Sequence, residues 1–253
     1  MIEIRDLKTE YSSGEPFTVR EAVFPQGKIS TIIGRNGSGK TTLLKVIAGQ
    51  KRYSGSVLID GKECRDYSAM ERARKTAFLP QGVRALSLDV QTLAEHGRYP
   101  HHGNFRRMTE KDREHVRHAL QVTRMDGLKG REIRELSGGE RQRAYLAMVI
   151  AQDTPMILMD EPTTYMDRRY QDEFFKILRQ LTDEGKGIVM VSHDLEQTFA
   201  VSDRIYVMED KGLLAGGTPE ELLRKEDVLR RNFGAALKAA DDEELMYPYV
   251  LKK

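Results

Sequence analysis

The chain has 253 residues, with 41 basic and 39 acidic side chains and a formal net charge of +2. That balance excludes a dedicated nucleic-acid binder, which shows a strong basic excess, and the length suffices for one large domain without staples. A single cysteine, Cys64, excludes an internal disulfide, and with neither an N-terminal apolar run ending in a cleavage site nor about 18 consecutive apolar residues anywhere, the composition predicts a soluble, cytosolic, globular protein.

Residues 1–33 read as short strands separated by turns. Ile2, Ile4 and Leu7 mark a first strand, Ser12 to Pro16 a turn, and Phe17, Val19, Val23 and Phe24 further short strands. Tyr11 lies in the loop between the first two strands, either as a flat surface for an adenine ring or as an exposed turn residue. After the turn Pro25-Gln26-Gly27, the residues Ile29, Thr31, Ile32 and Ile33 read as a buried strand. Gly34-Arg35-Asn36-Gly37-Ser38-Gly39-Lys40-Thr41-Thr42 follows and fits G-x-x-x-x-G-K-[ST], the phosphate-binding P-loop. Leu43, Leu44, Ile47 and Ala48 then recur at helical spacing, with Gly49 as a stop. Strand, glycine loop and helix in that order are the context the motif needs. The glycines turn the backbone N–H groups inward, and the helix N-terminus adds its positive dipole end. Lys40 is expected to reach the β- and γ-phosphates of a nucleotide, and the Thr41 hydroxyl to ligate magnesium.

Gly55 to Gly61 reads as a strand with an Asp-Gly turn, Ser68 to Arg74 as a short charged helix, and Lys75 to Leu79 as a strand. Gln81 therefore sits where that strand gives way to a loop, either as an amide for a metal-bound water or as an ordinary loop residue. From residue 82 to 135 the apolar positions recur at helical spacing among many charges, so the region reads as a helical insertion. Gly97 to Phe105 reads as a loop inside it, and Thr109 with Asp112 as a capping box. His101 and His102 are adjacent, and neighbouring side chains rarely converge on one metal. His96, His115 and His118 read as solvated helix positions, and Arg106-Arg107 as solvated surface.

In Leu136-Ser137-Gly138-Gly139-Glu140, Ser137 can cap a helix whose first turn holds two glycines. Each glycine costs about 1 kcal/mol relative to alanine. Close approach of a ligand to bare N–H groups would justify that cost, which makes this a second anion site of the same kind as the P-loop. Met156 to Asp160 is an apolar strand ending in the pair Asp160-Glu161. A strand apolar on both faces belongs inside a parallel sheet, whose C-terminal edge binds ligands. Asp160 is placed to hold magnesium through water, and Glu161 to polarise the attacking water. A loop to Asp167 leads into a long helix from Arg168 to about Thr182. Gly187 to Val191 is another apolar strand, ending at Ser192-His193-Asp194, where an imidazole could bond a γ-phosphate. Two closing strands and a helix capped by Thr218 follow, and residues 235–253 form a tail without a readable pattern.

With the P-loop and Leu136–Glu140 together, the chain resembles ABC-type ATP-binding subunits over roughly residues 1–230. The resemblance implies an α/β fold: a P-loop NTPase core with a mostly parallel sheet, an N-terminal antiparallel β subdomain and a helical insertion. It implies a core of residues 1–81 and 155–230, a helical signature subdomain of 82–154 and a tail of 235–253. It makes Tyr11 the adenine-stacking residue, Gln81 the Q-loop glutamine, Asp167 the D-loop aspartate and His193 the switch histidine. It also implies that two copies close head-to-tail around two ATP molecules and magnesium. Each ATP would lie on one copy's P-loop and meet Ser137, Gly138 and Gly139 of the other. Gly97-Arg98-Tyr99-Pro100-His101 and Glu161-Pro162-Thr163-Thr164-Tyr165-Met166-Asp167 are similar to importers of ferric siderophores, haem and cobalamin, the siderophore group best of all. Such a subunit is peripheral at the cytoplasmic face of the membrane, partnered by integral-membrane permeases and, indirectly, by an external binding protein. An ATP-dependent scaffold protein without transport is the alternative. Arg35, where the family often has proline, and Met166, where leucine is commoner, are the departures.

Overall fold

The computed structural model describes residues 1–10, 16–102, 107–164 and 166–234, with the strand backbone of 236–239 and 249–252. Tyr11, expected to stack on adenine, lies outside the described residues, as does Arg106.

The strands are β1 (Ile2–Glu10), β2 (Pro16–Phe24), β3 (Ile29–Gly34), β4 (Ser54–Ile59), β5 (Lys62–Glu63), β6 (Thr76–Leu79), β7 (Met156–Asp160), β8 (Gly187–Val191), β9 (Arg204–Glu209) and β10 (Gly212–Gly217), with a separate hairpin of β11 (Ala236–Ala239) and β12 (Tyr249–Lys252). The helices are α1 (Lys40–Ile47), α2 (Ala69–Ala73), α3 (Val90–His96), α4 (Tyr99–His102), α5 (Glu110–Val122), α6 (Gly138–Ala151), α7 (Arg168–Asp183), α8 (Leu195–Val201), α9 (Pro219–Leu223) and α10 (Glu226–Phe233). One sheet runs in the order β5-β4-β1-β2-β10-β9-β3-β8-β7-β6. Strands β9, β3, β8, β7 and β6 pair in parallel, while β1 pairs antiparallel with β2 and β4. A single parallel pairing, Gly212 with Thr18, joins the two blocks.

The parallel block is covered on both faces, as its sequence demands. Along β7 and β8, Ile157, Met159, Ile188 and Met190 pack with α3, α5, α6 and α7, while Leu158, Val189 and Val191 pack with α1 and the N-terminal strands. Burial on both faces explains the unbroken apolar runs. Because these strands run parallel, Gly34, Leu79, Asp160 and Val191 all end at one edge of the sheet, which gathers the loops that follow them.

Two local readings change. Strand β2 is one nine-residue strand rather than several short ones. Its buried positions slip phase at Arg20-Glu21, opposite Asp6, whose φ of +47° breaks the regular ladder. Antiparallel pairing with β1 carries the strand through the slip. Within the stretch read as a loop, Tyr99–His102 is a turn of helix. Its cause is distant in sequence: the Arg98 guanidinium is buried, bonding Asp112 at 2.9 Å and the Ala151 carbonyl at 2.7 Å. Gly97 allows the approach, since a Cβ there would lie 2.2 Å from the Met148 carbonyl oxygen on α6. His101 adds a bond from Nε2 to the Gln152 carbonyl, 2.8 Å away, and His115 lies 3.6 Å from Asp153, so His115 is not the freely solvated residue its position suggested.

Asp112 also closes the capping box at the start of α5 by accepting from Thr109. Burial alone would raise its pKa, but the bonds from Thr109 and Arg98 outweigh that and hold it well below the usual carboxylate range. The pair therefore stabilises the fold above the unfolded carboxylate pKa of about 4, and that stability drains away as pH falls below it. Asp112→Ala strands a buried guanidinium and should cost about 3–5 kcal/mol. Chemical denaturation at pH 7 and at pH 3 checks it: the gap between variant and wild type should narrow at the lower pH.

Candidate nucleotide site

The P-loop occupies the turn from β3 into α1. Gly34 is fixed by close approach: a Cβ there would lie 2.3 Å from the Met208 carbonyl oxygen and 2.7 Å from Ser38 Oγ. Gly37 and Gly39 take φ of +81° and +104°, which glycine adopts without strain. Asn36 and Gly37 are exposed, Ser38, Gly39 and Lys40 buried, and Thr41 and Thr42 half-buried. Helix α1 starts at Lys40 with no side-chain cap, so its first N–H groups are left for a ligand. Ser38 Oγ is buried with no hydrogen-bond partner among the described residues, a polar atom held ready inside the loop. Lys40 Nζ donates to the carbonyls of Gly34 at 2.7 Å and Arg35 at 3.0 Å. Burial lowers the Lys40 pKa, and the charges of Glu161 and Asp160 pull back against it. Arg35, the departure from the family pattern, has an exposed side chain.

The carboxylates sit at the end of β7. Asp160 is buried and accepts from Thr41 Oγ1 at 3.1 Å. Burial pushes its pKa up, and Glu161 adds to that, against the bond from Thr41 and the charges of Lys45 and Lys40. A buried carboxylate with hydroxyl and amide oxygens nearby is a hard, all-oxygen donor set of the kind magnesium prefers, so the residues fit that ion. Glu161 takes φ of +46°, a conformation worth about 1–3 kcal/mol of strain for a non-glycine residue. The kink turns it out of the strand direction. Its Oε2 accepts from Gln81 Nε2 at 2.8 Å and Thr164 Oγ1 at 3.3 Å, and lies 3.5 Å from His193 Nδ1. Gln81, Glu161 and His193, far apart in sequence, are thus brought to one point. Thr164 is the member that sequence reasoning missed, because a threonine in a loop carries no signal of its own. An open cleft of about 410 Å³ is lined by Asn36, Gly37, Gly39, Lys40, Thr41, Thr42, Gln81 and Glu161.

Ser137, Gly138 and Gly139 do not line this cleft. Ser137 caps α6 and Glu140 completes the box, accepting from Ser137 N at 2.9 Å and Ser137 Oγ at 2.7 Å. The two helix starts therefore differ in kind: α1 is uncapped, while α6 carries its own carboxylate. The expectation of two like anion sites is corrected on this point, because Ser137 Oγ must leave Glu140 before it can bond another anion. Gly139 is not required by its own chain, since a Cβ there would make only an ordinary contact of 3.7 Å with the Tyr170 ring. Asp167 caps α7, accepting from Tyr170 N at 3.0 Å.

The ABC transporter family model matches residues 21–164, more than half of the chain. The chain belongs to the ABC transporter family. This ABC cassette is 40% identical over 237 residues to the petrobactin import ATP-binding protein FpuD of Bacillus anthracis, covering 90% of this chain and 86% of that protein. It is 35% identical over 245 residues to the ferric enterobactin transport ATP-binding protein FepC of Escherichia coli, covering 96% of this chain and 89% of that one. Among solved structures, a dimeric bacterial ABC transporter cassette superposes with a TM-score of 0.75 at 25% identity, covering 87% of this chain and 99% of that one. The α/β architecture expected from the sequence is the architecture observed. No helix among the described residues is long and apolar enough to cross a membrane.

If Gly139 is kept bare for a second molecule, Gly139→Ala separates fold from function. The isolated chain should melt unchanged or about 2–4 °C higher, because alanine is the better helix former. ATP-driven dimerisation should nevertheless fall at least tenfold, read by light scattering, with nucleotide affinity of the single chain unchanged.

Proposed function

We propose that this cassette is the ATP-hydrolysing subunit of an importer for a ferric siderophore, working at the cytoplasmic face of the membrane against a separate permease. The convergence of Gln81 and His193 on Glu161, beside an uncapped P-loop helix, is the observation that carries the ATPase reading. The P-loop N–H groups and Lys40 bind the β- and γ-phosphates of ATP. Glu161 accepts a proton from water as the water oxygen bonds the γ-phosphorus and the bond to the ADP oxygen breaks. Gln81 and His193 hold Glu161 and the terminal phosphate in register. Thr41, Asp160 and Gln81 would hold magnesium, which when bound neutralises charge on the phosphate oxygens.

Two copies close head-to-tail, each presenting Ser137, Gly138, Gly139 and Asp167 to the nucleotide on the other's P-loop. A twofold axis makes both sites alike. This reading is supported by the position of the Ser137 turn outside the chain's own cleft. The cargo follows from the relatives, whose names specify petrobactin import and ferric enterobactin transport. Substrate choice would rest with the permease and an external binding protein, since the cleft of this chain is lined for phosphate.

The test is purification with a multi-span siderophore permease and reconstitution in liposomes. ATP hydrolysis should rise several-fold when a binding protein loaded with ferric siderophore is added. A rise with haem or cobalamin instead would overturn the cargo, and no hydrolysis with any permease would overturn the ATPase role.

A further inference from the structure

Helix α7 joins two parts of the molecule through a half-buried amide, Gln171, and a buried one on α8, Gln197, that nucleotide binding does not itself require. Gln197 lies on α8, four residues after His193, and is 1% exposed. Its backbone N–H donates to the Asp194 carboxylate at 2.9 Å, so it is anchored to the His193 turn. Its side-chain Nε2 donates to Gln171 Oε1 on α7. The Gln171 Nε2 in turn donates to the carbonyls of Met166 at 3.2 Å and Thr163 at 3.5 Å. Those carbonyls can only accept, so the Gln171 amide has one sensible orientation, and its oxygen must face Gln197. Thr163 and Met166 belong to the loop that runs from Glu161 to Asp167. A chain of hydrogen bonds therefore leads from the His193 turn to the Asp167 loop.

Packing does not explain the two amides. Gln197 Oε1 is buried without a partner among the described residues, which costs about 1–3 kcal/mol. Two leucines would fill a similar volume with no such loss. Close by on α7, Tyr170 packs against Gly139 and lies under the Arg143 guanidinium at 5.0 Å, and Glu173 pairs with Arg143 at 3.5 Å. The helix that receives the amide chain also braces the start of α6.

We infer that Gln171 and Gln197 are positioning residues: they tie the His193 turn, which serves the chain's own nucleotide, to the Asp167 loop and α7, which are presented to the partner copy's nucleotide. The inference rests on the ATPase dimer proposed above. Loss of the terminal phosphate at one site would then be felt at the other through α7. Such a link changes turnover and cooperativity and leaves the P-loop affinity alone.

The experiment compares Gln171→Leu, Gln197→Leu and the double variant. Melting temperature, affinity of the single chain for a fluorescent ATP analogue, kcat and the Hill coefficient for ATP are measured for each. The single variants should lose about tenfold in kcat, with the Hill coefficient falling toward 1 and the affinity within twofold of wild type. The double variant leaves neither amide facing an apolar partner, so its melting temperature should lie above those of both single variants. Its kcat and Hill coefficient should stay low. Recovery of kcat in the double variant would reduce the pair to packing and overturn the inference, as would loss of nucleotide affinity in step with kcat. Wild-type protein without ATP hydrolysis would instead overturn the ATPase reading.

Discussion

Glu161→Gln should lower ATP hydrolysis about 10²- to 10⁴-fold, the range for losing a general base, and should leave a dimer that ATP holds closed. The two side chains have the same shape, and the new amide oxygen can still accept the bond from Gln81 Nε2, now 2.8 Å from the carboxylate. The backbone at φ +46° suits glutamine no worse than glutamate. What goes is the ability to take a proton from water. Binding energy from Lys40 and the P-loop is untouched, so closure proceeds and its release by hydrolysis does not. Phosphate release measures the first effect, and light scattering with ATP measures the second. Normal turnover would mean that another group orients the water. An equal loss of ATP binding would mean that Glu161 is part of the cradle and not of the chemistry.

The parts of this site that could be read in the sequence are those whose physics is local. Gly34 to Thr42 is a turn, a charge and a hydroxyl within one helical turn of each other. The capping box at Thr109–Asp112 and the caps at Ser137 and Thr218 are devices that span four residues, and all three form. Strands β7 and β8 announced burial on both faces by having no polar residue before their ends. The rest depended on partners far along the chain. Arg98 sits in a Gly-Arg-Tyr-Pro-His stretch that looks like a polar loop, and only Asp112 and the Ala151 carbonyl make it a buried joint. Gln171 and Gln197 are polar residues inside helices, which normally face water, and nothing within their own segments marks them as a pair. The condition of the α6 start was half legible. Two glycines pointed to bare N–H groups, but Glu140 three residues on had to be read as a rival for Ser137, not only as a charge in a first turn.

Lys40→Ala should reduce ATP affinity about 10²-fold and kcat/KM by about 10³-fold or more. The ammonium is held at the loop by the Gly34 and Arg35 carbonyls, 2.7 and 3.0 Å away, so its position is set before any phosphate arrives. Charge-assisted hydrogen bonds contribute roughly 1.5–3 kcal/mol each, or about 10- to 150-fold in binding. The further loss in turnover comes from charge that grows on the phosphate oxygens in the transition state, where one preorganised donor is commonly worth 10²–10³-fold. Removal also changes the floor of the site. Lys40 is among the charges that hold down the Asp160 pKa against its burial, so the variant should protonate Asp160 at higher pH than wild type. Any residual activity should therefore fall away sooner as pH is lowered, with the acid limb of its profile moved toward neutrality. Lys40→Arg should not rescue, because a planar guanidinium is too broad for a loop whose two carbonyls already close on a single nitrogen. Isothermal titration with ATP and a pH profile of the surviving hydrolysis decide the matter. Wild-type affinity in Lys40→Ala would refute the phosphate cradle, and an unmoved acid limb would show that Lys40 does not help to hold down the Asp160 pKa.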